Sequence, residues 1–343
     1  MAAVSGLASG SFEDEGPTFS PITNYTLWRS SLAQPRQIAP PVGDPLWTPR
    51  AQLDYHSAFV TLQTPAMEQA VRQLRLLLVL NHRQEGTARR GLIVSGPPGA
   101  GKSTTLMELG RSFELTYRRQ HGPTDTLPVA FAGIPPAYSP KALVRGLARF
   151  LCLPVHDRMT ETTITDAVCA VLGERGTRIV FIDDVHLLNT RTRPGADTSD
   201  QLKALAERIP ATFVLAGVDV ERAPVLTGPR GAQLAARFKM LRTPPLLNGT
   251  AVQRAAWRKL LTDMEAALRL QHHRTGMLVR HADYIHLRTG GVMASLSQLV
   301  REAALAAVLD GSQTITKKLL SEIVLDVQAT NASRPPHGPA KAS

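Results

Sequence analysis

The segment Gly96-Pro-Pro-Gly-Ala-Gly-Lys-Ser103 constrains this chain more than any other. It fits the pattern G-x-x-x-x-G-K-[ST], and it stands between a short apolar run, Gly91 to Ser95, and a stretch of helical character from Lys102 to about Tyr117. That context is what the pattern needs. The glycines let backbone N–H groups turn toward an anion at a helix N-terminus, and the lysine adds a point charge. By chance the pattern arises in on the order of a per cent of chains this long, before strand and helix are required. Gly96, Pro97, Pro98, Gly99, Ala100, Gly101, Lys102, Ser103 and Thr104 are therefore expected to cradle the phosphates of ATP. Lys102 would serve the β- and γ-phosphates, and Ser103 would ligate Mg²⁺.

A second motif supplies carboxylates. Arg178-Ile-Val-Phe-Ile-Asp-Asp184 is an apolar strand that ends in two acids. Asp183 is expected to hold the Mg²⁺ shell and Asp184 to orient and polarise an attacking water. Paired acids after a strand also suit a helix N-terminus; with the P-loop upstream, the nucleotide reading carries more weight.

Strands and helices alternate around these motifs. Further strands are expected over Leu127 to Ala132, Arg178 to Asp183, Ala211 to Ala216 and Phe238 to Arg242. Between them the helical candidates are Pro140 to Leu151 behind Ser139, Thr163 to Glu174, and Ser199 to Arg208. Ahead of the P-loop, Thr64 reads as an N-cap with Pro65 at the first helical position, opening a helix to about Asn81. Alternation of this kind implies a parallel α/β sheet with helices on both faces. After Pro245 only helices are expected: Val252 to His272, Met277 to Arg288, Val292 to Leu309 and Thr316 to Val327. The division is thus a flexible arm over 1–50, a nucleotide-binding α/β domain over 51–248, a helical lid over 249–327 and a disordered tail from 328.

Charge separates the regions. Lys and Arg outnumber Asp and Glu by 24 to 17 over residues 51–250 and by 12 to 7 over 251–343, whereas the first 50 residues carry three basic and four acidic side chains. A basic folded part suggests a polyanionic partner, nucleic acid before membrane. The longest apolar run, Leu76 to Leu80, is far short of the ~20 residues that span a bilayer. Glu13, Asp14 and Glu15 argue against a transit peptide, so the chain is expected in the cytoplasm. Cys152 and Cys169 lack metal-site spacing and read as buried thiols. His272 and His273 read as surface residues, not metal ligands.

Taken together these residues resemble the AAA+ ATPases, and within them the TniB/TnsC-type ATPases of bacterial transposons, with MuB more distant. The resemblance runs from about Tyr55 to Gly311. Besides the two nucleotide motifs it rests on Tyr55-His56 with Thr64-Pro65, His186-Leu-Leu-Asn189, Thr212-Phe-Val-Leu-Ala-Gly217, Gln233-Leu-Ala-Ala-Arg-Phe238, and Thr289-Gly-Gly291 at the start of a lid helix. It implies ATP-controlled homo-oligomeric assembly on double-stranded DNA and recruitment of a transposase, with a TniQ-type adaptor as a further partner and no membrane. Replication helicase loaders and a non-hydrolysing ATP-gated scaffold share the same site.

The resemblance also implies an arginine supplied by a neighbouring subunit, for which Arg237 matches and Arg230 stands second. Lys141, Arg145, Arg191 and Arg193 are the candidates for sequence-independent contacts to DNA phosphates. Three departures are visible. Asp184 stands where many AAA+ proteins have glutamate, Ala216-Gly217-Val218 offers no polar sensor, and the helix after Gly291 shows no obvious sensor arginine, with Arg288 just before it. They imply slow turnover.

Overall fold

The computed structural model describes residues 22–33, 47–58, 63–84, 89–122, 124–134, 140–188 and 193–332. Its centre is a five-stranded parallel sheet, ordered β2-β3-β4-β1-β5, built from β1 (Gly91–Ser95), β2 (Val129–Gly133), β3 (Ile179–Asp183), β4 (Thr212–Gly217) and β5 (Phe238–Arg242). The three inner strands are buried almost throughout, and the two edges are not. This is why the inner strands read as continuous apolar runs. The register sets Ser95 beside Gly217 and Gly133 beside Asp183, so the strands end together along one edge of the sheet. There the crossover from β1 runs toward β2 while that from β4 runs toward β5, which opens a crevice between β1 and β4.

The helices that wrap the sheet are α3 (Pro65–Asn81), α4 (Lys102–His121), α5 (Pro140–Phe150), α6 (Glu161–Glu174), α7 (Arg193–Arg208) and α8 (Gly228–Ala235). Thr64 caps α3 as expected, its hydroxyl accepting from the Met67 amide. Beyond β5 come α9 (Ala251–Ala266), α10 (Met277–Arg280), α11 (Ala282–Thr289), α12 (Met293–Leu309), α13 (Lys317–Glu322) and α14 (Val327–Ala332). They enclose a separate apolar core around Trp257, Leu261, Ile285 and Leu299. No single described helix is long and apolar enough to cross a membrane.

Several expectations are corrected. The region read as a flexible arm contains α1 (Tyr25–Ala33), whose Trp28 is 1% exposed and donates through Nε1 to the buried Glu114 carboxylate at 2.6 Å. Only two turns carry the apolar stripe Tyr25, Trp28 and Leu32, too few for periodicity to stand out. A second helix, α2 (Pro49–Ser57), belongs with the helical unit and not with the sheet: Tyr55 donates to the Ala267 carbonyl at 2.8 Å, and Gln52 and Gln313 exchange amide hydrogen bonds at 2.8 Å.

The same contacts explain why α9 stops at Ala266 short of His272. Tyr55 and Gln52 take the carbonyls of Ala267 and Arg269, and the chain leaves the helix between them. Helix α14 carries order past Gln328 to Ala332, where a disordered tail was expected. Cys152 is exposed and Cys169 is buried. Cys152 has φ 59° just past α5, where the Leu153 amide bonds back to the Ala148 carbonyl, and this left-handed helix end turns the thiol outward. His273 is no surface residue. Its ring is buried against Glu265, whose carboxylate also accepts from the Gly276 and Leu278 amides and lies below the usual range through those bonds, against the upward pull of burial.

Candidate nucleotide site

At the C-terminal end of β1 the chain turns through Gly99 (φ 72°) and Gly101 (φ 82°) into α4. The added methyl of any other residue would meet nothing at Gly101, so backbone conformation and not space demands glycine there. Gly96 is the opposite case: a Cβ would lie 2.2 Å from Thr243 Oγ1. Helix α4 starts with no side-chain cap and no acid in its first turn. Its first amide donors therefore face the loop without a side-chain acceptor, which is the arrangement that binds a phosphate.

Lys102 is buried and donates through Nζ to the Gly96 and Pro97 carbonyls at 2.9 and 2.8 Å. Burial lowers its pKa, and the charges of Asp183, Asp184 and Asp219 act against that. The two motifs are thus brought together as expected. Asp183 ends β3 and accepts the Asp184 amide at 2.9 Å, which fixes its carboxylate. Asp184 has φ 57°, and its pKa is raised, first by burial and then by Asp183, against His186 and Lys102. Among the described residues no cluster of three acidic, histidine or cysteine side chains forms a metal site. The hard oxygen donors Ser103 and Asp183 suit Mg²⁺ arriving with phosphates.

Residues that the motifs alone do not reveal complete the site. Asp219, two positions past β4, adopts φ 42° and its charge reaches Lys102, so a polar group does follow the fourth strand. His186 accepts the Val218 amide through Nδ1 at 3.1 Å, tying the β3 and β4 ends together. The cavity over the P-loop has a volume of about 490 Å³, and its far walls are Tyr55, His56, Met67, Met264 and Arg301. Arg301 lies on α12, so the lid helix does present an arginine to the site; it donates through Nε to the His56 carbonyl at 3.2 Å. Arg288 instead serves the Leu320 and Ile323 carbonyls inside the helical unit. Burial brings His56 down to about 4, with Arg269 and Arg301 adding to that, while its Nε2 accepts the Arg269 amide at 3.3 Å.

The lid touches the loop directly. The Ala294 amide at the start of α12 donates to the Gly99 carbonyl at 3.0 Å. Gly291 bonds Leu246 at 2.9 Å, and a Cβ there would fall 1.9 Å from the Leu246 carbonyl oxygen. Thr289-Gly-Gly291 is therefore a close joint between the lid and the segment that follows β5.

The remaining predicted residues lie apart. Arg237 stands at the start of β5, where its carbonyl accepts the Gly91 amide, at the opposite end of β1 from Gly96. Its guanidinium pairs with Glu207 at 2.8 Å, and Arg230 pairs with Asp200 at 2.9 Å. Lys141 donates to the Asp157 carbonyl at 3.0 Å, and Arg145 pairs with the Asp157 carboxylate, which it holds below the usual range. Arg191 and Asn189 lie outside the described residues, as does the expected cap Ser139; Arg193 begins α7.

Comparison with solved structures places this fold. Cdc6p from Pyrobaculum aerophilum is similar with TM-score 0.53 and 20% identity over 75% of this chain and 66% of its own. The Aeropyrum pernix ORC1 protein in complex with DNA gives 0.56 and 18% over 81% and 67%, and the ORC2 protein of that organism gives 0.57 and 15% over 81% and 71%. The chain thus spans about two thirds of their length. The fold is that of the AAA+ P-loop proteins. No curated protein sequence matches the chain. The family model described as bacterial TniB protein matches residues 52–248. That span covers more than half of the chain and takes in the P-loop, the paired aspartates, Asp219 and Arg237, and the chain belongs to the TniB family.

Proposed function

We propose that this chain is a slow ATPase of the cytoplasm that assembles as a homo-oligomer on duplex DNA and recruits a transposase to it. The observation that carries the reading is the lid's grip on the P-loop through Ala294 and Gly99, above a helix N-terminus whose Lys102 feels the charges of Asp183, Asp184 and Asp219. A ligand in this cavity touches both the sheet domain and the helical unit, so occupancy can set their relative position. ATP binding would draw Lys102 from the Gly96 and Pro97 carbonyls to the phosphates. Mg²⁺ held by Ser103 and Asp183 would neutralise phosphate charge. Asp184 would orient and polarise the attacking water, and its side chain, shorter than that of glutamate, supports slow turnover.

Arg237 would complete the site of a neighbouring subunit. Its position at the far end of β1, ~16 Å of strand from its own loop, supports a role in trans. Support for the DNA partner comes from the basic folded part and from the likeness to the ORC1 protein in complex with DNA. Recruitment of a transposase, with a TniQ-type adaptor, rests on family membership.

Electron microscopy of the protein with duplex DNA tests this reading. Ordered assemblies are expected with ATP and not with ADP, and Lys102→Ala should abolish them by removing the charge on the phosphates. ATP-independent assemblies, or wild-type assembly by Lys102→Ala, would refute ATP control. An assembled complex that fails to retain the transposase would leave the loader reading in its place.

A further inference from the structure

A second cavity, of about 270 Å³, opens between α3 and α4 at the end of the sheet opposite the P-loop. One wall is a ladder of rings on α4: Phe113 and Tyr117 have centroids 6.2 Å apart, and Tyr117 stacks on His121 at 4.2 Å. Spacing by four residues puts all three on one helix face. Arg89, Arg178 and His82 line the same space, and none of the lining side chains is acidic. Arg178 is exposed; Arg89 is half-buried and donates through Nε to the Asn81 carbonyl at 3.3 Å.

The polar floor is already satisfied. The Asn81 amide donates to the Arg90 carbonyl at 2.8 Å and to Thr212 Oγ1 at 2.9 Å, and its oxygen accepts the Arg90 amide at 3.1 Å. Such a cavity has no hydrogen bond to offer at depth, a ring wall at its side and cations at its rim. It suits a flat apolar group flanked by carboxylates. Duplex DNA suits it poorly, because its phosphates gain nothing from the rings.

The chain carries a ligand of that chemistry. Ser11-Phe-Glu-Asp-Glu-Gly16 sets one ring beside three carboxylates, in a region that holds a single other acid up to residue 50. The segment lies outside the described residues, but helix α1, which begins nine positions after Gly16, is anchored to the C-terminal half of α4 on the flank turned toward β2. The Tyr25 hydroxyl donates to the Thr126 carbonyl at 3.0 Å and accepts from Arg118, the neighbour of Tyr117, at 2.8 Å. The ten residues from Glu15 to Tyr25 can span up to ~33 Å, ample for the turn back to α4. We propose that Phe12 to Glu15 dock in this cavity of their own chain, Phe12 on the ring ladder and the carboxylates on Arg89 and Arg178. Docking would fasten the amino-terminal segment to the helix that begins at the P-loop.

Amide hydrogen exchange on the full chain tests this. In the wild type, residues 11–16 should exchange at least ~10-fold more slowly than the free peptide of the same sequence. Phe12→Ala and Arg178→Glu should each return that segment to the free-peptide rate, and Glu13→Lys with Glu15→Lys should restore protection to Arg178→Glu. An unchanged melting temperature and nucleotide affinity would establish that the variants fold. Free-peptide exchange in the wild type, or full protection retained in Arg178→Glu, would overturn the proposal. Protection that rises with protein concentration would also overturn it, by moving the segment to the cavity of a second copy.

Discussion

Asp184 is costly to keep charged. It adjoins Asp183, sits in the left-handed region and has a raised pKa, so the folded chain holds that proton more tightly than the unfolded one. Its contribution to stability is present below the unfolded carboxylate value and is lost as pH rises through the raised folded value. Asp184→Asn keeps a side chain that tolerates the left-handed region and removes the charge. At pH 7 its melting temperature should exceed that of the wild type by ~2 °C, and the gain should vanish near pH 3. Turnover should fall by ~10²-fold or more with ATP binding kept. A variant no more stable than the wild type across that range would mean that Asp184 titrates alike in the folded and unfolded chain.

His56 has the opposite sign. With the folded value near 4 and the ordinary value of 6.5, the unfolded chain takes up a proton first as pH falls. Stability from this group is therefore complete above pH 6.5 and is lost between 6.5 and 4, by up to ~3 kcal/mol. His56→Gln retains an acceptor for the Arg269 amide without titrating, and its acid unfolding curve should be flatter over that window. Circular dichroism against pH gives the comparison; coincident curves would mean that His56 titrates alike in the folded and unfolded chain.

At the scale of elements, the sheet and the P-loop were legible because inner parallel strands are unbroken apolar runs and Gly/Pro clusters punctuate them. Helices α1 and α2 were not. Gln52 meets Gln313, 261 residues away, and no local pattern announces such a partner. Arg301 was missed for the same reason: its approach to the cavity depends on α2 folding back onto α12. Asp219 was legible in principle, as a polar residue closely following a buried strand, but it stands one position beyond Ala216-Gly217-Val218, where a sensor was sought.

Element placement also sharpens the role of Arg237. Its bond to Glu207 is partly exposed, and exposed ion pairs contribute at most ~1 kcal/mol, so a neighbouring nucleotide could displace it. Arg237→Ala should bind ATP and lose ~10³-fold in hydrolysis. Mixed with Lys102→Ala, each nearly inactive alone, it should recover part of the activity, because one interface then joins an intact P-loop to an intact arginine. Co-assembly without recovery would assign Arg237 to its own subunit and leave Arg230 to be tried.

At the scale of the whole molecule, the proposed contact with DNA should fall where the excess positive charge lies. Helices α5 and α7 follow the C-terminal ends of β2 and β3, so Lys141, Arg145 and Arg193 belong to elements that start on the P-loop edge of the sheet. Asp157 is tied to both Lys141 and Arg145. If these make phosphate contacts, Lys141→Ala and Arg145→Ala should each lower the slope of log affinity against log salt by about one unit. Asp157→Ala should act in reverse and strengthen binding to all sequences alike. Fluorescence titration across salt concentrations reads both effects, and unchanged slopes would move the DNA surface to the helical unit.

The chain passes from the sheet domain to the helical unit through residues 243–250 after β5, and the nucleotide cavity is lined from both bodies. The bond from the Ala294 amide to the Gly99 carbonyl joins them over the phosphate loop like a latch. A nucleotide that opened or closed that latch would move α12, and α2, packed on α12, would ride with it.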